Sequence, residues 1–256
     1  VIIDVNVSLF RYPTRRVPRD DTADLVKFLT AKHVTQAWVG SFEAVLHRDL
    51  GGVNQRLVAE CRVKGEGLLL PFGTVDPLLP DWEEELRRCH EMHGMRGIRL
   101  FPNYHGYALD HPQFGKLIEL AGQRKLIVQI AARLEDPRTQ HRLLSVDDVD
   151  LQKLKAVLGR YPSTPIVLLN ALMSVPLDLP SALAEAGQVY FELATLEGVA
   201  GVERLLKSFP AERLLFGSHA PFFIWESAEL KLHESALPRP MVDRIRAGNA
   251  AKLLAS

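Results

Sequence analysis

Cysteine is scarce in this 256-residue chain: Cys61 and Cys89 are the only two, and both fall in stretches with helical periodicity. That is poor material for a disulfide framework or a thiolate metal centre, and buried or idle thiols in a reducing cytoplasm are the better reading. Net charge is also missing, because 31 Lys and Arg balance 31 Asp and Glu. No global field draws the chain to nucleic acid or an anionic membrane, so a small molecule is the expected partner, with a homo-oligomer left open. No apolar run reaches the length needed to cross a bilayer. Linkers and low-complexity segments are absent too, which argues for one domain over residues 1–256. A glycine-rich phosphate loop is the last absence. Ser8-Leu9-Phe10-Arg11-Tyr12-Pro13 follows the first strand pattern and offers nothing to cradle a pyrophosphate, which weighs against an open dinucleotide-binding sheet.

What is present is a 47% hydrophobic composition, enough for a large core, arranged as short β-branched runs alternating with amphipathic helical stretches. Strands are expected at 1–8, 35–40, 68–75, 97–101, 126–131, 165–170, 188–193 and 214–218. Helical patterns cover 23–33, 54–64, 82–93, 114–124, 151–160, 179–186 and 201–209, with a last run at 240–254. Pro112 suits a first helical turn, and Gly94, Gly122 and Gly187 suit helix ends. This alternation predicts an α/β fold, a single (β/α)8 TIM-type barrel with a C-terminal helix and any site at the C-terminal ends of the strands.

The opening strand is the most informative. In Ile2-Ile3-Asp4-Val5-Asn6-Val7-Ser8 a period of two sends Asp4, Asn6 and Ser8 to one face and Ile3, Val5 and Val7 to the other. Three polar side chains on one face of a buried strand are costly unless that face lines a cavity, so this strand reads as one wall of a site.

Five segments, in order, carry a resemblance to the amidohydrolase superfamily, and to its amidohydrolase-related branch of lactonases and decarboxylases. Ile2 to Ser8 resembles the first-strand motif, normally Asp-x-His-x-His. Thr74-Val75-Asp76-Pro77 resembles the third-strand end, and Arg96-Gly97-Ile98-Arg99-Leu100-Phe101-Pro102 the fourth. Leu215-Phe216-Gly217-Ser218-His219-Ala220-Pro221-Phe222 resembles the eighth, usually Phe-Gly-Thr-Asp-x-Pro-Phe, and Gly248 to Leu254 the closing helix. In that family two first-strand histidines, histidines on strands five and six and an aspartate after strand eight hold one or two divalent cations. Here those positions read Asn6, Ser8, Ala131, Asn170 and His219. Zinc prefers imidazole, thiolate or carboxylate, so the expectation is no tightly held catalytic metal and no other cofactor. A weaker magnesium or calcium site at Asp4 with carbonyl oxygens is left open.

The remaining polar strand ends suit a small polar ligand. His219 titrates near neutrality and is the candidate general base or acid, with Asp4 as its orienting carboxylate. Asn6, Ser8, Gln129 and Asn170 are candidate substrate-binding residues; the alternative is that the amides satisfy one another after loss of function. Arg133 and Arg138, in a charged loop after the fifth strand, are candidate clamps for a substrate carboxylate, or else members of a solvated ion-pair cluster. Arg99 shares the parity of Gly97 and Phe101, is expected to point inward, and then needs an anion. The loop from Pro102 to His111 mixes aromatic, imidazole and glycine residues and reads as a ligand-contacting loop or an ordinary crossover. Phe222-Phe223-Ile224-Trp225 reads as a pocket wall, lid or oligomer contact. The resemblance implies a hydrolase of a lactone or other carboxyl substrate that works without metal. A non-catalytic ligand-binding or scaffold descendant ranks close behind, and a decarboxylase third.

Overall fold

A computed structural model describes every residue except Ser174 and Leu177. Its strands are β1 (Ile2–Leu9), β2 (Val34–Ser41), β3 (Leu69–Pro71), β4 (Gly97–Leu100), β5 (Ile127–Ala131), β6 (Ile166–Leu169), β7 (Val189–Glu192) and β8 (Leu214–Leu215). Every pairing is parallel, in the order β1-β2-β3 and β4-β5-β6-β7-β8. Two seams close the ring. At the first, Arg99 N donates to Gly73 O at 2.7 Å beside a Gly73–Ile98 bridge. At the second, Val5 N donates to Phe216 O at 3.0 Å and Ser8 N to Ala220 O at 2.9 Å, beside a Val7–Ala220 bridge. The chain is thus a (β/α)8 barrel. Strands β4, β5 and β6 are buried along their whole length, which is why they are rich in apolar residues and why β6 reads as a continuous apolar run.

The crossover helices are α1 (Thr22–Ala31), α2 (Leu50–Lys64), α3 (Trp82–Arg87), α4 (Pro102–His105), α5 (Pro112–Gln123), α6 (Leu154–Leu158), α7 (Leu179–Ala186) and α8 (Gly201–Leu205). After β8 come α9 (Trp225–His233), α10 (Arg239–Asp243) and α11 (Asn249–Ala255). Side chains set several starts. Asp21 accepts from the backbone of Ala23 and Asp24, and Asp49 from Gly52, which starts α2 earlier than its apolar pattern does. His111 caps α5 ahead of Pro112, so this loop histidine has a structural task. Residues 82–93 and 240–254, each expected as one helix, are broken by wide π-type turns at Arg88–Met92 and Arg244–Gly248. α9 is the element the sequence hid, because its start lies inside the aromatic run.

Three packed layers position the site. The barrel floor holds Ile3, Val5, Trp38, Phe72, Ile127, Val167, Leu169 and Leu215, sealed from below by Ala250 and Leu253 of α11. Trp38 and Phe72 stack there at 5.0 Å. A larger layer joins the outer strand faces to the helices. At the C-terminal mouth, Tyr12, Phe42, Phe101, Ala131 and Leu134 form a third cluster, with Phe222 packed against it.

The opening strand departs from a strict period of two. Its pairing with β2 runs Asp4↔Ala37 and then Val7↔Val39, an extra residue on β1 and so a β-bulge. Asp4 bonds Trp225 of α9, whose ring packs on Phe28 of α1, while Asn6 and Ser8 meet partners within the barrel. The expectation that Asp4, Asn6 and Ser8 share one face is therefore corrected, and Val7 likewise parts from Ile3 and Val5.

Candidate functional site at the barrel mouth

Arg99 fills the middle of the barrel and is 1% exposed. Nε donates to Gln129 Oε1 at 2.8 Å, Nη1 to Val7 O at 2.8 Å and Ser8 Oγ at 3.2 Å, and Nη2 to Trp38 O at 3.1 Å and Val5 O at 3.4 Å. Gln129 Nε2 completes the set by donating to Val5 O at 2.7 Å. Arg99 does point inward, but the anion it was expected to need is replaced by five neutral acceptors. Burial pulls its pKa down to about 9, against the fields of Asp4 and Glu192. Gly40 makes room for it, since a Cβ there would lie 2.6 Å from Arg99 Cδ.

Above Arg99, four strand ends meet. Asn6 Nδ2 donates to Asn170 Oδ1 at 2.8 Å and to Glu192 Oε1 at 3.2 Å. Glu192 also accepts from the backbone of Asn170 at 2.6 Å and of Ala194 at 2.5 Å. Asn170 Nδ2 donates to Arg133 O at 2.9 Å and to His219 Nδ1 at 3.3 Å, while His219 Nε2 donates to Leu134 O at 2.7 Å. Those partners set the tautomer, with the proton on Nε2. Asn170 and His219 both have left-handed backbones, with φ of 55° and 57°, so each turns its side chain in at a sterically costly conformation. Burial pushes His219 down to about 4 and Glu192 up to about 7. The imidazole is therefore neutral at physiological pH, with both nitrogens engaged by protein.

Asp4 is not brought to His219. Its Oδ2 accepts from Ser218 Oγ at 2.6 Å and Trp225 Nε1 at 3.1 Å, and its Oδ1 from Ser218 N at 3.0 Å and Asn6 N at 3.2 Å. Burial raises it to about 6, with these donors pulling the other way. It ties β1, the turn after β8 and α9 together.

Polar centre and solvent are separated by aromatic rings. Tyr12, Phe42 and Phe222 meet edge to face at 4.9 to 5.7 Å, and Phe222 stacks on His219 at 5.3 Å. Tyr12 Oη donates to Glu135 at 2.8 Å, and Arg15 pairs with the same buried carboxylate at 3.1 Å. Of the two loop arginines, Arg138 is exposed and paired with Asp136, the solvated reading. Arg133 is 7% exposed and bonds Asp148 through Nε and Nη2. Phe222-Phe223-Ile224-Trp225 divides its tasks: cap, half-buried wall, exposed residue and buried tether.

Glu192 was missed by the sequence reading, although a carboxylate ending the apolar run Val189-Tyr190-Phe191 was a visible signal. Ser218 and Trp225 stood inside segments singled out above, but nothing in those segments pointed to their bonds with Asp4. Among the described residues, no group of three or more His, Cys, Asp or Glu could hold a metal ion.

A polar cluster at the C-terminal mouth of a (β/α)8 barrel is where enzymes of this architecture keep their chemistry. The amidohydrolase family profile matches residues 10–255, and the chain belongs to that family. No curated protein matches it. Solved structures give the same fold at low identity. The 2,6-dihydroxybenzoate decarboxylase of Rhizobium aligns at a TM-score of 0.72 and 15% identity, over 98% of this chain and 99% of that one. The 5-carboxyvanillate decarboxylase of Sphingomonas paucimobilis aligns at 0.76 and 12%, over 99% and 98%. A dihydroxybenzoic acid decarboxylase of Polaromonas, solved with manganese and an inhibitor, aligns at 0.74 and 14%, over 99% and 96%.

Proposed function

We propose that this amidohydrolase-family chain is a non-catalytic descendant, its barrel centre converted from a metal site into a closed hydrogen-bonded core. The observation that carries this reading is His219. A general base needs an open lone pair within reach of substrate, yet its Nδ1 accepts from Asn170, its Nε2–H is spent on Leu134 O, and Phe222 stacks over the ring. The other positions point the same way. Ala131 has no donor and packs in the mouth cluster, while Asn6 and Asn170 bond each other. Amide oxygens and one occupied imidazole do not fit a transition ion.

The hydrolase expected from the sequence would require His219 to leave both partners and the aromatic cap to open. Likeness to aromatic-acid decarboxylases makes carboxylates the sensible second substrate set to assay. The test measures turnover of lactones, carboxylate esters and dihydroxybenzoates by the wild type and His219→Ala, with and without added zinc or manganese. Background turnover in both proteins under all conditions is expected. Turnover above background that His219→Ala removes, or that a metal ion restores, overturns the reading.

A further inference from the structure

Beside the closed centre lies an open cleft of about 640 Å³, between the loop after β7 and helix α9. Its apolar lining includes Met173, Leu196, Val199, Phe223 and Leu230. Val199 and Leu230 are 84% and 60% exposed, so apolar surface faces water here at some cost. Phe223 stands edge-on to His219 at 4.9 Å and forms the wall between cleft and barrel centre.

Lys231 also lines this cleft and is half-buried. Its ammonium donates to Ala194 O at 2.5 Å and Leu193 O at 3.3 Å, which leaves one N–H. Among the described residues no carboxylate lies within ion-pairing distance of it. Burial lowers its pKa, while the fields of Glu192, Glu197 and Glu234 oppose that shift. Glu197 and Glu234 are exposed at the rim, where water and salt screen them. Arg133 reaches the same cleft with its Nη1 free of protein partners among the described residues, Asp148 holding the other two nitrogens. The hydroxyl of Thr195, on the same wall, is buried without a partner.

From a directly unpaired ammonium, a spare guanidinium N–H and an apolar lining in one cleft, we infer that this cleft binds a small organic carboxylate with an apolar or aromatic body, its carboxylate on Lys231. Such a ligand supplies the anion that the half-buried cation lacks and covers the exposed apolar rim. The inference does not depend on whether the barrel centre is catalytic, because its readout is binding alone.

Phenylacetate, titrated by calorimetry against the wild type, Lys231→Met and Leu230→Glu, tests it. Lys231→Met keeps the stem and removes the charge; Leu230→Glu sets a repelling carboxylate on an exposed position that carries no core packing. Saturable binding is expected, weakened about tenfold in each variant, with neutral phenylacetamide binding about tenfold more weakly than phenylacetate. Absence of saturable binding, equal binding of the amide, or unchanged affinity in either folded variant overturns the inference. Should Lys231→Met not fold, Leu230→Glu and the amide decide.

Discussion

Glu192 makes the stability of this protein fall as pH rises, and Glu192→Gln removes that dependence. The carboxyl is wholly buried, and burial lifts its pKa from an ordinary 4.5 to about 7. A group raised in the folded state contributes stability that is complete below its unfolded pKa and is lost as pH climbs through the folded one. The window is therefore pH 4.5 to 7, and the loss is about 3 kcal/mol at roughly 1.4 kcal/mol per pH unit. Asp4, raised from 3.8 to about 6, adds a loss of the same sign. His219, lowered from 6.5 to about 4, acts oppositely: its contribution is complete above 6.5 and is lost as pH falls through 4. Asp4 and His219 nearly cancel, which leaves the dependence of Glu192 exposed. Urea unfolding of wild type and Glu192→Gln from pH 4.5 to 7.5 measures it. The variant carries a constant penalty for the bond from Ala194 N, while the gap between the two proteins shifts by about 3 kcal/mol in the variant's favour toward pH 7.5. Exposed carboxylates titrate alike in both and drop out. A pH-independent gap refutes the argument.

Other perturbations probe the same core. Gly40→Ala, whose Cβ would press on Arg99, and Gly217→Ala, whose Cβ would lie 2.5 Å from Glu192 Oε2, each lower unfolding free energy by about 1–3 kcal/mol. Arg99→Met leaves Gln129 Oε1 and the carbonyls of Val7 and Trp38 without that donor in a sealed barrel, and denaturant titration is expected to read a loss of about 1–3 kcal/mol for each acceptor left unpaired, offset in part by removal of a buried charge. Asp4→Ala frees the indole of Trp225, so its fluorescence shifts to the red and thermal stability drops; an unchanged emission maximum would show that α9 is held by packing alone.

The alternation of strand and helix patterns was sufficient to name the barrel, because short β-branched runs recur between helical stretches at a fairly even spacing. Its irregularities were not legible, since they depend on tertiary partners. The bulge in β1 is set by pairing with β2, and it moved Asp4 away from the face that a period of two assigns it. The convergence of Asn6, Asn170 and His219 followed from their strand-end positions. That the amides satisfy one another was one of two readings of the sequence; the aromatic cap over them was not legible, because Tyr12, Phe42 and Phe222 come from three separate loops. Arg99 shows the same limit: its inward direction was readable from parity, whereas three of its five neutral acceptors are backbone carbonyls, which have no signature in a sequence.

The seam between β8 and β1 has a consequence for synthesis. Val5 and Ser8 find their acceptors only at Phe216 and Ala220, and Asp4 finds its indole donor at Trp225. A nascent chain therefore carries β1 with one bare edge until Phe216 and Ala220 have been made and docked against it. Ring closure thus rests on contacts of high sequence separation, and until they form the open β1 edge is a template for pairing with other chains.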